Sequence, residues 1–107
     1  MPGQKDHDVF QAISDPTRRK LLNLLAEKEM SIAEIADHFP ISRTAVNKHL
    51  TVLSNARVVT SRKVGRETRF LLEPKPLIEV KEWLNFFEAY WDDQLAMLKK
   101  YVERDCD

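Results

Sequence analysis

The sequence predicts a mainly α fold carrying one β-hairpin, and three observations predict it. Helix caps and breakers fall where apolar periodicity of the helical kind starts and stops across residues 9–56. The period changes to two over residues 58–73, on either side of Gly65, and a long apolar stripe at helical spacing then fills residues 77–104. With 107 residues and 43% hydrophobic content, one domain is expected over residues 1–107, made of a core at 8–75 and a terminal helix at 77–104. A chain of this length buries roughly 60 to 70% of its unfolded surface, enough for a modest core to which dimerisation would add.

In chain order, Val9, Phe10 and Ile13 make a short apolar stripe. Asp15-Pro16 then supplies an N-cap acceptor and a proline at the first helical position, where its missing N–H costs nothing. Pro16 to Lys28, with Leu21, Leu22, Leu24 and Leu25, follows as an amphipathic helix. Ser31 and Glu34 have the spacing of a capping box, opening a short helix whose inward side is Ile32, Ile35, Ala36 and Phe39. Pro40 ends that segment by pushing Phe39 out of the helical region. Ser42 caps again, and the next helix runs to about Ala56 on a stripe of Val46, Leu50 and Leu53.

Two helices joined by so short a turn make a helix-turn-helix, although the turn lacks the glycine found in many such motifs. The polar side of the second helix carries Arg43, Thr44, Asn47, Lys48 and Thr51, side-chain types that hydrogen-bond base edges and phosphates. Val58 to Val64 and Glu67 to Glu73 are β-rich segments flanking Gly65-Arg66, and glycine first in a two-residue loop suits a type II′ hairpin. A helix-turn-helix followed by a hairpin is a winged helix. Its wing bears Arg62, Lys63, Arg66 and Arg69, with the tip expected along a DNA backbone or in the adjacent minor groove.

Pro74 and Pro76 bracket a break before one long helix, Leu77 to Arg104. Val80, Leu84, Phe87, Trp91, Gln94, Leu98 and Tyr101 repeat along it at four-three spacing, supported by Trp83, Tyr90, Leu95 and Val102. A helix of about 28 residues extends roughly 40 Å, more than a domain this small covers with its own core. A two-fold homodimer is therefore expected, its interface drawn from Val9, Phe10, Ile13, Trp83, Phe87, Tyr90, Trp91, Leu95 and Leu98.

The charge balance qualifies the picture. Seventeen Lys and Arg match 17 Asp and Glu, and zero net charge taken alone counts against a polyanionic partner. Partitioned, residues 1–39 carry a net of −2, residues 40–75 a net of +6 and residues 76–107 a net of −4. The positive field is thus confined to the recognition helix and wing, with acidic flanks opposing indiscriminate contact with duplex. No apolar run is long enough to span a bilayer, so no membrane insertion is expected, and the N-terminal MPGQKDHDVF is too polar for a secretory signal. A single cysteine, Cys106, excludes a disulfide scaffold and fits a cytoplasmic setting.

These residues resemble a known group. The run Phe10-Gln-Ala-Ile-Ser-Asp-Pro-Thr-Arg-Arg-Lys-Leu-Leu22 is similar to the opening of the ArsR/SmtB family of bacterial winged-helix repressors. Ile32-Ala-Glu-Ile-Ala36 with Ile41-Ser-Arg-Thr-Ala-Val-Asn-Lys-His-Leu-Thr-Val-Leu53 is similar to its helix-turn-helix, and Val58-Val-Thr-Ser-Arg-Lys-Val-Gly-Arg66 to its wing. The resemblance covers residues 8–75 and implies a homodimer that binds double-stranded operator DNA and represses transcription by occluding a promoter. It places base reading at Arg43, Thr44, Asn47 and Lys48, with Ser42 at the phosphate-facing start of the helix. The family commonly has polar uncharged residues at position 43 and Ser or Thr at position 47, so the operator is expected to differ. Arg43 suits a bidentate contact to guanine and Asn47 one to adenine.

The family's metal sites do not carry over. Its thiolate site needs a Cys-x-Cys pair where this chain has Ile35, Ala36, Asp37 and His38, and its other site needs histidines on a terminal helix that here has none. Glu88, Asp92 and Asp93 are carboxylates only, and no metal or other cofactor is expected. His7, His38 and His49 have no ligand spacing, and a structural role is expected for His49. Cys106 has little nearby to lower its pKa and is not expected to be a redox switch. No nucleophile–base constellation or phosphate loop appears, so an enzyme is not expected. The rival reading is a winged-helix adaptor or anti-repressor that binds protein through its aromatic terminal helix. An effector or regulatory protein that the sequence does not identify would also fit the family pattern.

Overall fold

Capping chemistry sets the element boundaries. The structure, a computed structural model, describes residues 8–105; His7 and Cys106 lie outside the described residues. Helix α1 (Val9–Ala12) is capped by Asp8, whose carboxylate accepts from the Phe10 N–H at 3.0 Å. Four residues cannot sustain a helix alone, and two arginines of the next helix hold its end. Arg18 donates from Nε to the Ala12 carbonyl at 2.6 Å and from Nη2 to that of Gln11 at 3.2 Å, while Arg19 reaches the Ile13 carbonyl at 2.8 Å. Cationic donors thus reach the carbonyls at the end of the helix, that of Gln11 also accepting from the Ser14 N–H and hydroxyl.

Helix α2 (Pro16–Glu27) starts as expected, with the Asp15 carboxylate accepting from the Arg18 N–H at 3.1 Å and proline in the first turn. Two residues, Met30–Ser31, then form a strand, β1, that the sequence pattern does not predict. Ser31 is also the N-cap of α3 (Ile32–Ala36), and both halves of its capping box with Glu34 are present, at 3.3 and 3.2 Å. Helix α4 (Arg43–Asn55) is capped by Ser42, whose Oγ accepts from the Ala45 N–H at 3.1 Å. Strands β2 (Val59–Val64) and β3 (Glu67–Leu72) form the wing. The sheet is antiparallel with order β1-β3-β2, and Ser31 and Arg62 both face Arg69 across the ladder. Gly65 at φ 65°, followed by an arginine outside the positive-φ region, matches the first half of a type II′ turn.

The core lies where α2, α3 and α4 meet the base of the wing. Leu21, Leu25, Ile35, Val46, Leu50, Leu53 and Val58 are buried there together with Val9 and Ala12 of α1. The predicted stripe of α4 is thus the buried one. Val9, expected at the dimer surface, is only 2% exposed and belongs to this core, because α1 turns it inward against the other elements.

The single terminal helix expected over 77–104 is two helices, α5 (Leu77–Asn85) and α6 (Glu88–Asp105). At the junction the Phe86 N–H lies between the Glu82 and Trp83 carbonyls at 3.3 and 3.2 Å, and the Phe87 N–H reaches Leu84 at 3.0 Å. This is a tightened turn of the 3₁₀ kind. Asn85, Phe86 and Phe87 are all modest helix formers, and their succession is the local reason for the interruption. Rings cross the break nonetheless: Phe10 packs edge-on to Trp83 at 5.8 Å, Trp83 to Phe87 at 5.2 Å, and Phe87 stacks on Trp91 at 6.2 Å. Beyond Trp91, α6 projects from the body. The radius of gyration is 18.5 Å, against about 13 Å for a compact chain of this length.

Candidate nucleic-acid interface

The exposed side of α4 is defined by its buried one. With Val46, Leu50 and Leu53 directed into the core, the helical period sends Arg43, Thr44, Asn47, Lys48 and Thr51 to solvent, and all five are exposed. Ser42 ends this face at the N-terminus, where free backbone N–H groups and the helix dipole favour an anion. The Thr51 hydroxyl donates to the Asn47 carbonyl at 3.0 Å, which leaves its oxygen lone pairs outward. His49, on the flank, is partly buried with Nδ1 3.4 Å from Arg18 Nη1, joining the α1–α2 corner to α4; no metal role is needed to explain it. Among the described residues no group of three or more His, Cys, Asp or Glu could hold a metal ion.

The wing divides its cations into two sets. At the tip, Lys63 and Arg66 are exposed, and neither forms an ion pair among the described residues. At the base, Arg62 and Arg69, expected with them as DNA contacts, are held by carboxylates. Arg62 donates to Glu29 through Nε at 3.1 Å and Nη2 at 2.6 Å. Arg69 contacts Glu29 at 3.3 Å, Glu34 at 3.3 Å and Glu67 at 2.7 Å, and is only 23% exposed. Hydrogen bonds from Arg62 above all hold the Glu29 carboxyl below its usual range, and the same bonds raise Arg62. Glu34 is lowered chiefly by the Ser31 N–H of the capping box, and Arg69 is raised chiefly by Glu67.

Sequence patterning misses this cluster because Glu29 and Glu34 lie 33 to 40 residues from the arginines they meet. Only the β1–β3 pairing brings them together, and a two-residue strand shows no periodicity.

The terminal helices carry the other exposed feature. Trp83, Tyr90, Trp91, Leu95 and Leu98 are all exposed, Trp83 by 54% and Leu95 by 61%, while Phe10, Ile13 and Phe87 are partly buried. No helix among the described residues is long and apolar enough to cross a membrane.

A buried-stripe helix presenting a polar face, a basic-tipped hairpin beside it and a helical extension define a winged-helix DNA-binding regulator. A family model described as bacterial regulatory protein, arsR family, matches residues 15–61, from the cap of α2 into β2. Transcriptional repressor SdpR of Bacillus subtilis is 41% identical over 89 residues, covering 83% of this chain and 99% of that protein. The HTH-type transcriptional regulator Rv2034 of Mycobacterium tuberculosis is 33% identical over 99 residues, covering 92% and 90%. Among solved structures, an ArsR-like transcriptional regulator from Rhodococcus sp. RHA1 superposes with a TM-score of 0.68 at 36% identity, covering 91% of this chain and 92% of that one. The chain belongs to the ArsR family, and it is a transcriptional regulator rather than an enzyme.

Proposed function

We propose that the protein is a cytoplasmic homodimeric repressor that binds a pseudo-palindromic operator. The observation that carries this reading is the exposed Arg43, Thr44, Asn47, Lys48 and Thr51 face on a helix whose opposite side is buried in the core. Rigid burial fixes that face relative to the wing, which base reading requires. In this reading Arg43 and Asn47 contact base edges, Thr44, Lys48 and Thr51 complete the groove contact, and Ser42 begins the helix against a phosphate. Lys63 and Arg66 extend the contact along the backbone. The stripe of Trp83, Phe87, Tyr90, Trp91, Leu95 and Leu98, with Phe10 and Ile13, pairs two copies. Similarity to a named repressor supports repression as the outcome.

Arg43→Ala tests base reading. It should cost roughly 1 to 3 kcal/mol at the operator and relax the preference at one base position. Competition binding against single-base operator variants measures both effects. Equal losses on specific and random duplexes would remove Arg43 from base reading.

A further inference from the structure

Arg62 and Arg69 stand directly opposite one another across the β2–β3 ladder. Like charges in that position repel. The structure answers with one carboxylate oxygen: Glu29 Oε1 lies 2.6 Å from Arg62 Nη2 and 3.3 Å from Arg69 Nε. Glu29 Oε2 completes a fork on Arg62, and the Glu29 carbonyl lies 3.4 Å from Arg69 Nη2. Glu29 comes from the acidic N-terminal third of the chain, so the fold places negative charge inside the basic segment.

We infer that Glu29 is a specificity-determining residue, which withholds Arg62 from the phosphate backbone and so limits sequence-independent attraction to the tip of the wing. The inference rests on the DNA-contacting role proposed for the wing. An exposed ion pair does little for stability, but its effect on duplex binding is of another kind. Non-specific affinity follows the number of phosphates neutralised by free cations, each adding about 0.9 to the salt slope. Arg62 is 58% exposed and long enough to swing outward, so its bidentate hold on Glu29 is what keeps it from the count. Specific binding, carried by α4, loses nothing by this restraint, and the ratio of specific to non-specific binding rises.

Fluorescence-anisotropy titrations of a random-sequence duplex between 50 and 200 mM KCl test the assignment. Arg66→Ala should flatten the slope of log K against log salt by about 0.9, whereas Arg62→Ala should leave it at the wild-type value. Glu29→Gln should steepen it by about 0.9, which makes the loss of affinity over this salt range about 3.5-fold larger. The double variant Glu29→Gln/Arg62→Ala, which also relieves the cross-strand repulsion, should return to the wild-type slope. Flattening by Arg62→Ala, or an unchanged slope in Glu29→Gln, with Arg66→Ala acting as expected, would overturn the role of Glu29 alone. An Arg66→Ala slope equal to the wild type's would overturn the wing reading and the Glu29 inference with it.

Discussion

Arg57 follows the end of α4 at φ 65°, the only non-glycine residue with positive φ among those described. Its N–H bonds the Ser54 carbonyl at 3.0 Å and the Val58 N–H bonds that of Leu53 at 3.1 Å, the paired geometry of a Schellman cap usually built on glycine. Leu53 and Val58, both fully buried, supply the hydrophobic contact of that motif. Tertiary packing thus imposes a backbone conformation that arginine resists. Arg57→Gly should stabilise the fold by about 0.5 to 1 kcal/mol, net of glycine's entropy in the unfolded chain. A higher urea midpoint at unchanged m-value is the expected result; a lower midpoint would deny the strain.

Asp15 gives the fold a defined response to acid. The Arg18 N–H holds its carboxyl below the ordinary 3.8, partial desolvation opposes this, and His49 reinforces it. Glu29 and Glu34 are likewise held below 4.5. A depressed folded value means that the unfolded chain binds protons first. The stabilisation is therefore complete above about pH 4.5 and is lost as pH falls through the folded values. Urea unfolding between pH 7 and 3 should show this loss, and Asp15→Asn, which retains a good cap acceptor, should flatten part of it. An unaltered pH profile in that variant would exclude Asp15 as a contributor.

At the scale of elements, punctuation made most of the fold readable. The caps at Asp15, Ser31 and Ser42, the leucine face of α2, the stripe of α4 and the turn at Gly65 are local signals that the structure repeats. What stayed hidden depends on long-range contact or on competition between weak tendencies. Strand β1 exists only through its pairing with β3, the cap at Arg57 lacks the glycine that would announce it, and the pause at Phe86 and Phe87 interrupts an apolar period that runs straight through it. For the interface, the outward residues of α4 were legible from periodicity, whereas the split between free and held wing arginines was not. The terminal stripe carries its own prediction. Trp91, stacked on Phe87 and 43% exposed, lies at the centre of the surface proposed for dimerisation. Trp91→Asp should yield monomers in sedimentation with helical content retained by circular dichroism. Persistent dimers would place the interface elsewhere.

For the whole molecule, the body and the projecting α6 extend over 63 × 36 × 22 Å. Exposed apolar residues run along that projection, among them Leu95, Met97, Leu98 and Val102. A surface of this kind is costly to leave against water, and in the homodimer proposed above a second copy would cover it and set two recognition helices side by side. The neutral total charge conceals how the partition serves such an assembly. Basic residues concentrate on α4 and the wing, acidic ones on the flanks, and two of the flanking carboxylates return to restrain the base of the wing.

Selection of bound sequences from a pool of random duplexes at physiological salt is the decisive test of operator recognition by a two-fold dimer, because it presupposes no operator sequence. An enriched inverted repeat should emerge, its half-sites centred about one helical turn apart, roughly 34 to 36 Å. The same selection with Arg43→Ala should lose preference at one symmetric pair of positions. A pool that shows no enrichment, while the protein remains folded and dimeric, would contradict the reading and favour a winged-helix module that binds protein through its terminal helices.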